Sequence, residues 1–177
     1  MIYYDDGALR IRTMTKGDIA PFVAAFASQG WGGKGEELFH HYLAQQEEGV
    51  RALLTAELDG EAAGYVTLCK QAEDGPFRGK NIPEIKDFNV LQKFQRRGIG
   101  ARLMDAVEAL AAKGCDRVCL GVGLYSGYGP AQRMYTKRGY VFDGSGVWYG
   151  EETEPVPAGE SRPVDDDLNL YLVKKLT

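Results

Sequence analysis

Gln95-Arg96-Arg97-Gly98-Ile99-Gly100-Ala101 is the stretch on which the reading of this chain turns. A β-branched and aromatic run, Ile85 to Leu91, precedes it, and an amphipathic helical pattern from Ala101 to Lys113 follows. Strand, glycine turn and helix start together present backbone N–H groups to an anion. The first N–H groups of a helix have no partner inside it, and the macrodipole places partial positive charge there. Gly98 and Gly100 let a phosphate approach the backbone without a Cβ in the way. Arg96 and Arg97 add formal positive charge. The stretch therefore reads as a phosphate or pyrophosphate site built mostly from main chain.

Two well-known phosphate loops do not fit. A nucleoside triphosphate loop needs Gly-x-x-x-x-Gly-Lys-Ser/Thr, which is absent from the sequence. A dinucleotide fingerprint needs a third glycine, where Leu103 stands, and an acidic residue about 20 residues on, at the end of the second strand. That strand runs into Gly121-Val122-Gly123 instead. The pattern that does fit is Gln/Arg-x-x-Gly-x-Gly/Ala, from Gln95 to Gly100.

Working outward, the periodicities lay out one mixed sheet with helices. Leu9 to Arg12 alternates as a first strand, and Thr15 stands as a cap before a helix from Lys16 to Ser28. Glu36 to Glu48 reads as a second helix. Val50 to Leu58 and Ala62 to Cys69 form a hairpin about Asp59-Gly60. Ile82 to Leu91 is the central strand, on which Glu84, Lys86, Phe88 and Val90 share one face and Ile85, Asp87 and Asn89 the other. After the Gly100–Lys113 helix, Arg117 to Val122 should lie parallel to that strand. A helix from Pro130 to Arg138, a strand from Tyr140, an acidic excursion from Glu151 to Asp167, and a last strand from Asn169 to Lys175 complete the chain. The fold class is α/β or α+β, a single domain over residues 1–177, with helices on both faces of a mostly antiparallel sheet.

The 177 residues suffice for a sizeable core, with 44% apolar and 26% charged residues and a net charge of -4. That balance argues against a nucleic-acid binder, and no apolar run approaches the ~20 residues that span a bilayer. Met1-Ile2-Tyr3-Tyr4-Asp5-Asp6 has neither the basic nor the apolar region of a secretory signal, and three unpatterned cysteines do not make a disulfide framework. A reducing cytoplasm is the expected compartment. Cys69, Cys115 and Cys119 lack a nearby histidine in sequence, so an acyl-cysteine relay is disfavoured. His40 and His41, without clustered Cys or acid, do not make a metal site.

A second block, Ala131-Gln132-Arg133-Met134-Tyr135-Thr136-Lys137-Arg138-Gly139-Tyr140, matches Ala-x-x-x-Tyr-x-x-x-Gly-Phe/Tyr. With the glycine loop, and with the intervening helix and strand in order, it resembles the GNAT (GCN5-related N-acetyltransferase) superfamily. The motif likeness covers about Glu84 to Phe142, and the order of elements nearly the whole chain.

The resemblance implies an acetyl-CoA-dependent N-acetyltransferase. The pyrophosphate would lie on the amides from Arg96 through Arg97, Gly98, Ile99 and Gly100 to Ala101, with Gln95 opening the loop. The pantetheine arm would pair where the two central parallel strands splay, held by main-chain groups of Asn89, Val90 and Leu91, with the Val90 N–H as oxyanion donor. Tyr135 would be the general acid toward the thiolate, a role that a phenol of pKa near 10 can fill. Glu84, fourteen positions before Gly98, resembles the base of histone-acetyltransferase-like members, with Asp87 as its rival. The family often has Asn three positions before Ala131; Tyr128 stands there, and Ser126 or the Tyr128 hydroxyl would have to hold the cofactor arm instead. Trp31 and Trp148, with Tyr149, lie in regions that form acceptor-pocket walls in such proteins, and Asp87 joins them as a substrate contact.

The acceptor is then a small-molecule or peptide amine, and the acidic excursion offers a surface for a homodimer. Two readings compete with this one: a non-catalytic acyl-CoA sensor, and an acyltransferase using another acyl donor.

Overall fold

The computed structural model describes residues 1–176. Its strands, β1 (Ile2–Asp5), β2 (Leu9–Thr13), β3 (Arg51–Leu58), β4 (Glu61–Cys69), β5 (Glu84–Val90), β6 (Arg117–Gly123), β7 (Val141–Tyr149) and β8 (Leu168–Lys175), are hydrogen-bonded in the order β1-β2-β3-β4-β5-β6-β8-β7. The chain packs as two units, Met1–Leu68 with Asp87–Leu110, and Cys69–Lys86 with the residues from Ala111 onward. Strand β5, Glu84–Val90, contributes its first half to the second unit and its second half to the first.

The first unit opens with β1 (Ile2–Asp5), a strand that the sequence reading did not find. Only four residues long, it is too short to establish an alternation, and it pairs antiparallel with β2 (Leu9–Thr13). β2 pairs in turn with β3 (Arg51–Leu58), Leu9 opposite Leu58 through Thr13 opposite Leu54. The Asp59-Gly60 hairpin into β4 (Glu61–Cys69) has positive φ at both residues, as a two-residue type I′ turn requires.

The first helix begins later than its periodicity suggests. Lys16–Asp18 is a 3-10 turn and α1 runs Ile19–Ser28. Asp18 fixes that start by accepting the Thr15 N–H at 2.7 Å and hydroxyl at 2.9 Å, while pairing with Arg12 at 2.6 Å. With α2 (Glu36–Glu47), α1 supplies Phe22, Phe26 and Phe39 to a buried aromatic cluster around Tyr65 of β4. Their rings meet the Tyr65 ring edge-on at 5.3 to 5.9 Å, a favoured arrangement for aromatic quadrupoles. Helix α3, Ile99–Ala111, buries Leu103, Met104 and Val107.

In the second unit, Glu84 and Ile85 pair parallel with Cys119 and Leu120 of β6 (Arg117–Gly123), as expected of a strand-helix-strand connection. β6 pairs antiparallel with β8 (Leu168–Lys175), and β8 with β7 (Val141–Tyr149), whose register breaks between Phe142 and Val147. Ala72, Phe77, Cys119, Trp148 and Tyr171 form this unit's buried cluster. Helix α4 is Gly129–Lys137.

One expectation needs correction. Strict alternation along β5 stops at Asp87, whose φ of 48° is left-handed. A non-glycine residue in that region inside a strand is an uncommon and costly conformation. The side-chain directions inferred from a regular strand therefore do not hold across Asp87.

Candidate active-site elements

The glycine loop is built as its sequence suggests. After a 3-10 turn at Gln92–Phe94, Gln95 is extended, Arg96 is left-handed with φ 63°, and Gly98 has φ 79°. No atom lies within 4 Å of where a Gly98 Cβ would stand, so glycine is needed there for its dihedral rather than for space. The first helical bond of α3 runs from the Arg102 N–H to the Gly98 carbonyl at 3.2 Å. Upstream of it, the amides of Ile99 and Gly100 have no carbonyl four residues back to bond within the helix. Left-handed turns that lead into a helix N-terminus make an anion-binding concavity. Arg97 lies over the Phe94 ring at 5.7 Å.

The end of β5 is tied to this loop and to β4. Gln95 Nε2 donates to the Val90 carbonyl at 3.1 Å. The Leu91 N–H donates to the Ala63 carbonyl at 2.9 Å, so of the three residues expected to hold the cofactor arm, Leu91 has its donor engaged. Gly64 lies so close to β5 that a Cβ there would come within 2.6 Å of the Asn89 carbonyl oxygen.

Asp87 gathers four donors. Its Oδ1 accepts from Lys34 Nζ and from Asn89 Nδ2 at 2.7 Å; its Oδ2 accepts from the Tyr65 hydroxyl at 2.6 Å and the Tyr42 hydroxyl at 3.1 Å. Burial, then the Asp87 charge, drives the Tyr65 hydroxyl far above the usual phenol range, so it stays a donor. Lys34, Tyr42 and Tyr65 were not singled out in the sequence. Tyr65 reads there as an ordinary strand aromatic, and Lys34 lies 53 residues from its partner. Trp31 is 37% exposed and stacks on Phe26 with centroids 5.7 Å apart.

In the second unit Glu84 is 2% exposed, and its Oε2 has no hydrogen-bond partner among the described residues. Burial raises its pKa to about 7, against the pull of Lys86 and with help from the charges of Asp74 and Glu73. Lys86 itself pairs with Asp74 at 2.7 Å. Burial, then the Glu84 charge, holds the Cys119 thiol well above its ordinary range, which makes it an unreactive thiol. Trp148 donates its indole N–H to Ser145 at 2.7 Å and packs edge-on against Tyr171.

Tyr135 is buried on α4 with its ring 5.8 Å from that of Tyr140, and burial alone raises its pKa. Tyr128 and Tyr125 both donate to Asp166 Oδ1, at 2.9 and 2.5 Å. The Tyr128 proton is thus committed to the excursion, and its ring fills the space that a side chain at Gly123 would need. Ser126 sits in the 3-10 turn Ser126–Tyr128 that precedes α4. Three further acids of the excursion are engaged: Tyr149 donates to Asp165 at 2.9 Å, and Arg162 pairs with Glu152 and Glu160. No group of His, Cys, Asp and Glu among the described residues could hold a metal. Among the described residues no helix is long and apolar enough to cross a membrane.

Loop, strand order and second block all point one way, and a family model decides it: that of the Acetyltransferase (GNAT) family matches residues 18–140. The chain belongs to the GNAT acetyltransferase family. Its class is therefore that of an acyltransferase, in a family whose cosubstrate is acetyl-CoA. This GNAT chain is 31% identical over 106 residues to an uncharacterized N-acetyltransferase of Archaeoglobus fulgidus, an alignment covering 55% of this chain and 69% of that protein.

Among solved structures it shares its fold with yncA from Salmonella typhimurium, whose structure holds its cofactor acetyl-CoA (TM-score 0.68, 18% identity, 97% and 95% of the two chains). It also shares it with the Salmonella typhimurium acetyltransferase that modifies the N-terminal serine of a 50S ribosomal subunit protein (TM-score 0.72, 11% identity, 100% of each). A third is Ard1 from Thermoplasma volcanium (TM-score 0.69, 19% identity, 96% and 99%). At these identities the likeness is one of fold.

Proposed function

We propose that this protein transfers the acetyl group of acetyl-CoA to a primary amine by direct attack of the amine on the thioester. The observation that carries this reading is the loop from Gln95 to Ala101. Two left-handed residues turn the backbone into the start of a thirteen-residue helix, beside two arginines, in a chain of this family. That loop suits a pyrophosphate, and the Val90 N–H is the donor assigned to charge developing on the carbonyl oxygen.

The proton inventory follows from the two carboxylates and the phenol. An amine acceptor arrives as an ammonium and must lose a proton before it attacks. Asp87 already accepts four hydrogen bonds, one of them from an ammonium, so both of its oxygens are engaged. Glu84 has an unpartnered oxygen and a pKa near neutrality, and it is the base we assign, acting directly or through water. When the carbon–sulfur bond breaks, coenzyme A leaves as a thiolate. Tyr135, kept protonated by burial, is the group assigned to donate to that sulfur. Trp31, Asp87 and Trp148 are assigned to the acceptor side, and Ser126 to the cofactor arm in preference to the committed Tyr128 hydroxyl.

All three cysteines are free, which fits a reducing compartment such as the cytoplasm. The test is release of free coenzyme A thiol from acetyl-CoA over a panel of primary amines, alongside calorimetric binding of acetyl-CoA. Amine-dependent thiol release is expected. Tight acetyl-CoA binding with no release for any amine would point to the sensor reading, and no binding would overturn both.

A further inference from the structure

The four donors to Asp87 are not alike. Tyr42 belongs to α2, Tyr65 to β4 and Asn89 to β5 itself. Each is held by its element, and Tyr65 is also locked among three phenylalanine rings. Lys34 alone comes from a loop, Gly30-Trp31-Gly32-Gly33-Lys34-Gly35. Nothing lies within 4 Å of where a side chain at any of that loop's four glycines would begin. Close packing accounts for none of the four; Gly30 needs glycine for its φ of 81°, while Gly32, Gly33 and Gly35 have no such requirement and leave the backbone on either side of Lys34 freer to move.

The place that Lys34 occupies has the chemistry of an ammonium site. It offers a carboxylate whose side chain is 11% exposed and the face of the Tyr65 ring, 6.0 Å from Nζ. Carboxylate and aromatic face are the two groups that bind an alkylammonium. The chain also keeps Asp87 in a left-handed conformation within a strand, and four hydrogen bonds to one carboxylate are what hold it there.

We propose that Asp87 is a seat for the primary ammonium of the acceptor, which Lys34 occupies as a built-in stand-in until the acceptor displaces it. The exchange is like for like at Asp87: one ammonium leaves and another arrives, so the carboxylate is never stripped of its counter-charge. Lys34 meanwhile regains water and side-chain freedom on a loop that can follow it. The seat selects for cationic acceptors and against anionic ones. Occupation by Lys34 lowers apparent affinity by the fraction of time the seat is closed. The inference rests on the acetyl-transfer reading only in naming the ligand as the acceptor; the displacement itself needs no turnover.

The experiment uses the full chain without acetyl-CoA, with 1,4-diaminobutane and n-butylamine as probes and sodium acetate as the ionic-strength control. In protein labelled with 13C-lysine, the Lys34 Cε signal, assigned by its loss in Lys34→Met, is followed during titration. It should move to the position of exposed lysines such as Lys16 with amine and stay in place with acetate. Movement with both amines shows that a single ammonium suffices to displace Lys34, and movement with the diamine alone that a second cation is needed; both support the proposal. Calorimetry on Lys34→Met should give amine binding about tenfold tighter than wild type, and Asp87→Asn should abolish it. A Lys34 signal unmoved at high amine overturns the proposal, as does absence of amine binding, whether or not the enzyme turns over. If Lys34→Met does not fold, the wild-type titration, with Lys34 assigned through Lys34→Arg, still decides. Failure of acetyl transfer alone leaves these readouts intact.

Discussion

Gln95 Nε2 and the Val90 carbonyl lie 3.1 Å apart in a hydrogen bond that spans the turn between β5 and the glycine loop. One residue opens the loop proposed to hold the pyrophosphate and the other ends the strand proposed to hold the thioester, so this amide helps to fix the spacing between the two. The bond is exposed, and its net worth is about 0.5–1.5 kcal/mol. Gln95→Ala should weaken acetyl-CoA binding by up to about tenfold and lower the thermal midpoint by only a few degrees. Calorimetry and a melting curve check both; a large drop in midpoint with unchanged affinity would make Gln95 a structural residue only.

Gly64 limits the same strand end from the other side. A Cβ there would stand 2.6 Å from the Asn89 carbonyl oxygen and 3.1 Å from Val90 Cα, both backbone atoms that cannot turn aside. Gly64→Ala should therefore shift residues 89–90 and cost about 1–3 kcal/mol of stability, as overpacking does. Urea unfolding measures the cost, and acetyl-CoA affinity should fall with it. A variant as stable as wild type would show that β5 yields without strain.

What could be read from the chain alone divides by range. Gly98, Gly100 and Tyr135 stand in patterns of a few residues, so the loop, the second block and helices α3 and α4 were legible, as was the parallel pairing of β5 with β6. The Asp87 assembly was not. Alternation predicts direction only along a regular strand, and the left-handed turn at Asp87 breaks the rule there. Its partners come from 53, 45 and 22 residues away, on a loop, a helix and a strand that no local pattern relates. Tyr128 is a similar case: its hydroxyl looked available to a cofactor until Asp166, 38 residues on, claimed the proton.

Tyr135 allows the acid role proposed for it to be separated from folding. Burial is the sole cause of its raised pKa, so no ion pair depends on its hydroxyl. Tyr135→Phe keeps the ring and its contact with Tyr140. It should leave the thermal midpoint at or above that of wild type and lower kcat on the order of a hundredfold, the usual range for a lost general acid. The amine-dependent rate of thiol release measures it. An unchanged kcat would return Tyr135 to the role of a core aromatic.

If Glu84 is the base proposed above, stability and activity depend on the same proton. Its pKa is raised from 4.5 to about 7 in the folded protein by burial. Between those values the folded state holds a proton that the unfolded state has lost, so stability falls as pH rises from about 4.5 to 7, and is flat in this respect above. The difference amounts to about 3 kcal/mol at most. Glu84→Gln cannot ionise, so it should remove this slope and be more stable than wild type above pH ~7. Activity should move the other way. A base must be ionised, so kcat/KM should fall as pH drops through about 7 in wild type; in Glu84→Gln most of the rate should be lost and the limb should move up to the range where the acceptor ammonium itself ionises. Unfolding free energies and rate profiles from pH 5 to about 9 test both halves. A stability slope without an acid limb in the rate would keep Glu84 buried and titrating but take the base role from it.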